Sequence, residues 1–403
     1  MKVLMFGWEF APIYSGGLGV ACAGLTKELV NRNVEVTFVI PKKKGDVETH
    51  VDLVSAEEIM GKIKTIAVNS PITPYITSKD YSLIKNKSGR FSDSIYGENL
   101  FEEVYRYGEA AKKIAAEESF DVIHAHDWLT FRAGINAKKV SKKPLVVHVH
   151  ATEFDRTGGL GANPFVKEIE KEGLEKADRI IAVSNYTKNI VVRDYGINPD
   201  KIEVVHNAVE FDNRYVEAPK ISETDKIVLF LGRITIQKGP DYFVEMAKKV
   251  SDVVPNVKFL VAGSGDMEPR MIERAAELGI GDKMLFAGFL RGDDITRAYK
   301  MADVYVMPSV SEPFGIVPLE AIKNGTPVVI SKNSGVSEVI KNAIKVDFWD
   351  IDRMANAVAG ILKYAPLKQT MVNEGWKELN NVSWKHSAEK CIDIYNKLLG
   401  GCV

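Results

Sequence analysis

Cysteine is scarce in this sequence: Cys22, Cys391 and Cys402 are the only three in 403 residues. They are too few and too scattered for a disulfide framework, and no Cys-x-x-Cys pair offers a thiolate zinc site. An excess of either charge is also missing. Lys plus Arg number 53 against 54 for Asp plus Glu, and neither half is a basic module. Nucleic acid is therefore not an expected partner, because phosphate binding needs a clustered positive face. No stretch reaches about 18 uninterrupted apolar residues. The opening MKVLMFGWEF is too short an apolar run for a signal peptide and is broken by Glu9 and then Pro12. The expectation is a cytoplasmic protein from a reducing compartment, without integral membrane contact.

What remains is ordinary globular material, 45% hydrophobic and 27% charged. Its length suits two or three domains. Short β-rich apolar runs alternate with amphipathic stretches. Strands are predicted at Lys2–Phe6, Glu35–Ile40, Asp121–His124, Leu145–Val149, Arg179–Val183 and Ile202–Val205. Helices are predicted between them, including Val20–Asn31, Asn99–Glu118 and Asn163–Lys176. Residues 45–95 break this rhythm and read as an insertion. A polar stretch at Arg214–Asp225 reads as a linker. A second series follows, with strands at Ile227–Leu231, Val257–Val261, Met284–Phe286, Val304–Met307, Pro327–Ile330 and Ala343–Val346, and helices from about 350 to 399. Such alternation predicts an α/β protein with two Rossmann-like, doubly wound parallel sheets facing a cleft. The expected division is 1–215, 216–380 and a closing segment 381–403 that crosses back to the first domain.

In doubly wound sheets ligands lie beyond the carboxyl ends of strands, so residues just after strands carry the information. Ser15-Gly16-Gly17-Leu18-Gly19 follows the first strand and opens a helix. Glycines there let backbone N–H groups approach an anion, and the same pattern also suits a tight strand–helix turn. It is not Gly-x-Gly-x-x-Gly, and no acid ends the next strand, so a dinucleotide fingerprint fits poorly. Arg233 and Lys238, in FLGRITIQKGP, put two cations at a strand end, a diphosphate site or ordinary surface charge.

The sharpest pattern is Ser311 to Glu320, SEPFGIVPLE. A helix predicted to begin at Gly315 would leave the amides of Gly315, Ile316 and Val317 as donors. Glu312 would then lie in the loop and Glu320 about one and a half turns in. An acid complementing the helix dipole accounts for Glu312 but not for Glu320. His124, His126, His148 and His150 fall near strand ends. Because the two pairs lie on different strands and no His-Glu-x-x-His exists, no metal site is expected, and polar residues at the cleft are the simpler account.

Taken together these residues resemble the GT-B retaining glycosyltransferases, the group of glycogen and starch synthases and the broad family 4. Glu312 to Glu320 is similar to the family's Glu-x7-Glu motif, and Phe230–Arg233 with Lys238-Gly239 to its phosphate loop. Ser15–Gly19 is similar to its first glycine loop, and His150 to its cleft histidine. Tyr96–Asn99, Tyr105 and Asp121–Trp128 look like the glucan-synthase version, and Ser383-Trp384 like the start of the returning C-terminal helix. Two features depart from glycogen synthases. Tyr14 stands where a Lys is usual, and His150–Arg156 reads more like other family-4 enzymes.

The resemblance implies metal-independent, retaining transfer of a hexosyl group from an ADP- or UDP-sugar to a glucan. The alternative acceptor is a small sugar, a sugar phosphate or a lipid. It implies no separate cofactor. Glu312, His150, Arg233 and Lys238 are the catalytic candidates. Gly16, Gly17, Gly19, Gly315, Ile316, Val317 and Glu320 are the nucleotide-binding candidates. A GT-B-shaped epimerase and a non-catalytic sugar-binding protein are the competing classes.

Overall fold

The computed structural model describes residues 1–11, 16–40, 63–67, 100–159, 161–211, 215–218 and 224–400. The chain divides into two compact units. One comprises Met1–Glu153, Ala162–Ala208 and Trp384–Val403, the other Phe154–Gly161 and Val209–Ser383.

In the first unit the order is β1 (Lys2–Phe6), α1 (Gly17–Asn31), β2 (Glu35–Ile40), β3 (Ile63–Ala67), α2 (Leu100–Glu117), β4 (Val122–His126), α3 (Trp128–Ser141) and β5 (Leu145–Val149). A short α4 (Glu153–Arg156) runs out of this unit. Then come α5 (Pro164–Lys176), β6 (Arg179–Ala182), α6 (Asn185–Tyr195) and β7 (Ile202–Val204). The seven strands are ordered β3-β2-β1-β4-β5-β6-β7, all parallel. The second unit holds β8 (Lys226–Leu231), α7 (Pro240–Val253), β9 (Val257–Ala262), α8 (Glu268–Glu277), β10 (Met284–Gly288), α9 (Asp293–Met301) and β11 (Val304–Met307). It continues with α10 (Val317–Lys323), β12 (Val328–Ser331), β13 (Ile344–Val346), α11 (Ile351–Lys363) and α12 (Ala365–Leu379). Its six parallel strands are ordered β10-β9-β8-β11-β12-β13. The last helix, α13 (Trp384–Leu398), belongs to the first unit and packs on α1.

The strands read as near-continuous apolar runs because parallel sheets are covered on both faces. Val3 to Phe6 and all of β4 and β5 are buried. In the second unit Val228, Phe230, Phe243, Phe259 and Val306 form the centre of one core. Helix starts follow local chemistry. Asn163 caps α5 with its side-chain oxygen on the Phe165 and Val166 N–H groups, followed by Pro164 at the first helical position. Ser184 caps α6 through the Thr187 N–H.

The predicted elements recur with shifted ends. The strand expected at Asp121–His124 runs Val122–His126 and takes in both histidines. The stretch from 350 to 399 is three helices, α11 to α13. Apart from β3, the 45–95 stretch lies outside the described residues. So do Tyr96–Asn99, Tyr14, Ser15, Cys402 and half of the expected linker. No helix among the described residues is long and apolar enough to cross a membrane.

Helix α13 is fastened at three points. The Ser387 hydroxyl donates to the His206 carbonyl at 2.6 Å. The Tyr395 hydroxyl meets His124 Nδ1 at 2.6 Å. The Trp384 indole lies over Gly24 of α1 so closely that a Cβ there would sit 2.4 Å from the ring. Gly24→Ala should therefore destabilise the chain by about 1–3 kcal/mol through overpacking. Urea unfolding measures this, and an unchanged midpoint would contradict the packing described.

Candidate active site

Both sheets have the strand order 3-2-1-4 at their centre. The chain's direction of winding reverses between β1 and β4, and again between β8 and β11. Crossover helices on either side of such a reversal go to opposite faces, which opens a crevice at the strands' carboxyl ends. The candidate residues gather at these two reversals.

In the second unit the loop after β8 carries Arg233 and Lys238. The Gly232 N–H donates to the Ala262 carbonyl at 3.0 Å and the Ile234 N–H to the Ser264 carbonyl at 2.9 Å, which fixes the loop against the end of β9. Ile234 is fully buried beneath it. A 3-10 turn over Ile236–Lys238 ends at Gly239, whose φ is +66°. A Cβ there would lie 2.2 Å from the Pro308 carbonyl oxygen, so only glycine fits. The Val310 N–H donates to the Gln237 carbonyl at 2.9 Å. The phosphate-loop candidate is thus tied to the loop after β11.

That second loop carries Glu312. Its carboxylate accepts from Lys238 Nζ at 2.5 Å and from the Ser309 hydroxyl at 3.2 Å. The pair is largely withdrawn from solvent, with side-chain exposures of 20% for Lys238 and 9% for Glu312. Charge-assisted bonds in such surroundings are the strong ones. Arg233 Nη2 donates to Gln237 Oε1 at 3.1 Å. Ser311 donates to the buried carboxylate of Asp155 at 2.5 Å, so α4 braces the same loop.

One expectation is corrected here. The helix does not begin at Gly315: its φ of +99° is not helical, and α10 starts at Val317. Glu320 therefore stands in the first turn and not one and a half turns in. The amides of Gly315, Ile316 and Val317 meet no acceptor among the described residues. Glu320 accepts from the Tyr299 hydroxyl at 2.8 Å. Burial holds its carboxyl above the ordinary range, against the opposite pulls of Tyr299 and Lys323.

In the first unit Gly16, Gly17 and Gly19 lie at the start of α1. The buried carboxylate of Glu9, after β1, occupies this turn. Glu9 Oε2 accepts from the Gly19 N–H at 3.3 Å, and a Cβ on Gly16 would be 2.1 Å from it. The anion at this loop is thus one of the chain's own side chains. Its role was not readable beforehand, because Glu9 stands well ahead of the glycines in sequence.

The largest correction concerns the histidines. β4 and β5 are neighbours, with His126 opposite His148. Side chains two apart in a strand share a face, so His124, His126, His148 and His150 converge. His126 Nδ1 lies 3.0 Å from His150 Nε2. Burial lowers all four below the ordinary imidazole range, His150 to about 3, so at neutral pH they are uncharged. Asp127, also outside the candidate set, positions His150. Its Oδ1 accepts from the His150 and Ala151 N–H groups at 2.7 and 3.2 Å, and its own φ is +59°. A non-glycine residue held there at a strand end marks a constrained site.

Comparison with known proteins gives the family and the fold. Residues 15–213 match the family model described as Glycosyltransferase Family 4, and residues 212–378 match Glycosyl transferases group 1. An uncharacterised glycosyltransferase of Methanocaldococcus jannaschii is 32% identical over 98% of this chain and 98% of its own. A glycogen synthase of Mycobacterium tuberculosis is 24% identical over 98% of this chain and 94% of its own. Among solved structures, a sucrose-phosphate synthase from Thermosynechococcus elongatus superposes with a TM-score of 0.77 at 20% identity, covering 99% of each chain. The chain is a glycosyltransferase of the GT-B fold and belongs to the family defined by these two models.

Proposed function

We propose that the chain transfers a hexosyl group, with retention at the anomeric carbon, from an ADP- or UDP-linked sugar to a glucan. The observation that carries the reading is that Arg233, Lys238 and the amides of Gly315–Val317, which meet no acceptor among the described residues, follow β8 and β11, the two strands of one strand-order reversal. When the glycosyl bond breaks, negative charge grows on the leaving diphosphate. Fixed cations and amides aimed at that charge are worth most in a partly dry site. Arg233 offers a planar fork of donors and Lys238 a point charge. These groups supply the electrostatic stabilisation themselves, so the transfer runs without a divalent ion.

Glu312 holds Lys238 in place and contacts the donor sugar. Glu320, fixed by Tyr299, accepts from the ribose hydroxyls. His150, neutral and oriented by Asp127 and His126, hydrogen-bonds a sugar hydroxyl. A glucan acceptor is supported by the full-length similarity to a glycogen synthase. The second reading, a small sugar, sugar phosphate or lipid acceptor, is favoured by Tyr14 in place of Lys and by the His150–Arg156 segment. Nucleoside-diphosphate release from a panel of nucleotide sugars, with and without glucan or sugar phosphates, separates the two. The configuration of the new bond, read by NMR, tests retention. Sugar conversion without any acceptor would mean an epimerase.

Arg233→Ala and Lys238→Ala should each lower turnover by about 100-fold or more, the equivalent of ~3 kcal/mol of transition-state stabilisation. Near-normal turnover at saturating donor in both variants would sink the assignment.

Glu320→Gln should act on binding and not on the reacting carbon. The affinity for a free nucleoside diphosphate is expected to fall by about 1–3 kcal/mol, the range for a hydrogen bond to a charged group. Calorimetry decides, and unchanged affinity would reduce Glu320 to a partner of Tyr299.

A further inference from the structure

Five buried imidazole nitrogens of the histidine cluster find no hydrogen-bond partner among the described residues: His124 Nε2, His126 Nε2, both nitrogens of His148, and His150 Nδ1. The transfer reaction uses His150 alone. His124, His126 and His148 are 0–1% exposed, so bulk solvent does not satisfy them. Buried polar atoms are normally paired, and this many orphans in one place mark a missing partner.

The geometry narrows what that partner is. One ligand atom from each of His124, His126 and His148 can be chosen so that all three lie within 4.8 Å of one another. His124 Nδ1 is bonded to the Tyr395 hydroxyl, which leaves its Nε2 as the unpaired nitrogen. His126 Nδ1 is bonded to His150, which leaves its Nε2 likewise unpaired. We propose that His124, His126 and His148 form a three-imidazole site for a borderline divalent transition ion, zinc by preference, buried in the first unit. An imidazole set selects zinc, copper, nickel or cobalt over magnesium or calcium. The Tyr395 contact is the outer partner that fixes the His124 tautomer. The His124 ring lies within 20° of the His126 ring and 14° of the His148 ring. Binding therefore turns the rings about χ2, a broad torsion. Metal–nitrogen bonds of about 2.0–2.1 Å then draw the ligands together.

A second triplet, Cys22, His126 and His150, also meets the distance criterion. It is the poorer site. Burial, with Glu9 and Asp127 adding to it, pushes the Cys22 thiol well above its ordinary range, whereas the thiolate is the ligand. The role that follows for the three-histidine site is structural. One ion joins β4 to β5 and, through Tyr395, holds α13 to the sheet. Because the site is closed, the ion enters as the chain folds.

The test is expression of the full chain in cobalt-supplemented medium, followed by metal analysis and absorption spectroscopy, with zinc loading in parallel. The expected result is about one ion per chain and visible ligand-field bands without a thiolate charge-transfer band. Zinc-loaded protein should melt about 5 °C above metal-free protein. His124→Gln and His148→Gln should lose the bands. Tyr395→Phe, the milder change should the histidine variants fold poorly, should weaken binding by about 10-fold or more. Metal-free wild-type protein from that medium overturns the site. Bands that survive both histidine variants overturn it too. A thiolate band abolished by Cys22→Ser would place the ion at the other triplet.

Discussion

The reversal of strand order at the centre of each parallel sheet is the constraint on which the rest depends. At β1/β4 and β8/β11 the flanking connections leave in opposite directions, and the loops between them are not covered by a crossover helix. The candidate residues lie in these loops, at the starts of α1 and α10 that follow them, or, for His150, just after β5 beside β4. The glycines serve that placement. Gly239 passes under the Pro308 carbonyl, and Gly263 lies against the Gly232 carbonyl at a distance no Cβ would allow. The backbone of the second unit's site is thus closed around Arg233 and Lys238 before any ligand arrives. Preorganisation of this kind is what makes fixed charges effective on a developing anion.

The two units manage buried charge differently. In the second, Lys238 and Glu312 neutralise each other at the loop where a diphosphate is proposed to bind. In the first, the Glu9 carboxylate fills the glycine turn and Asp127 takes the amides of His150 and Ala151. The first unit's reversal therefore presents a carboxylate in its glycine turn and neutral imidazoles, and the second presents two cations and amides that meet no acceptor among the described residues. This asymmetry is the physical reason for assigning the diphosphate to the second unit.

The strands and the strand–helix alternation were legible in the sequence because apolar runs and amphipathic periods are local signals. So was the Glu312–Glu320 segment, whose meaning lies in spacing along one loop and helix. Gly315 misled about the helix start, since its φ of +99° breaks the helical run, and a glycine in the sequence does not announce its φ. The histidine cluster needed the β4–β5 register, which brings together residues separated by a whole helix. Glu9, Asp155 and Tyr395 were invisible for the same reason. Each acts on a partner that only the tertiary fold supplies.

The claim that the second unit's reversal receives the nucleotide is tested most directly by a crystal structure with a bound nucleoside diphosphate. The account predicts phosphate oxygens within about 3.2 Å of Arg233, Lys238 and the Gly315–Val317 amides, with the ribose on Glu320. A diphosphate seated at Gly16–Gly19, with the Lys238–Glu312 pair undisturbed, would contradict it.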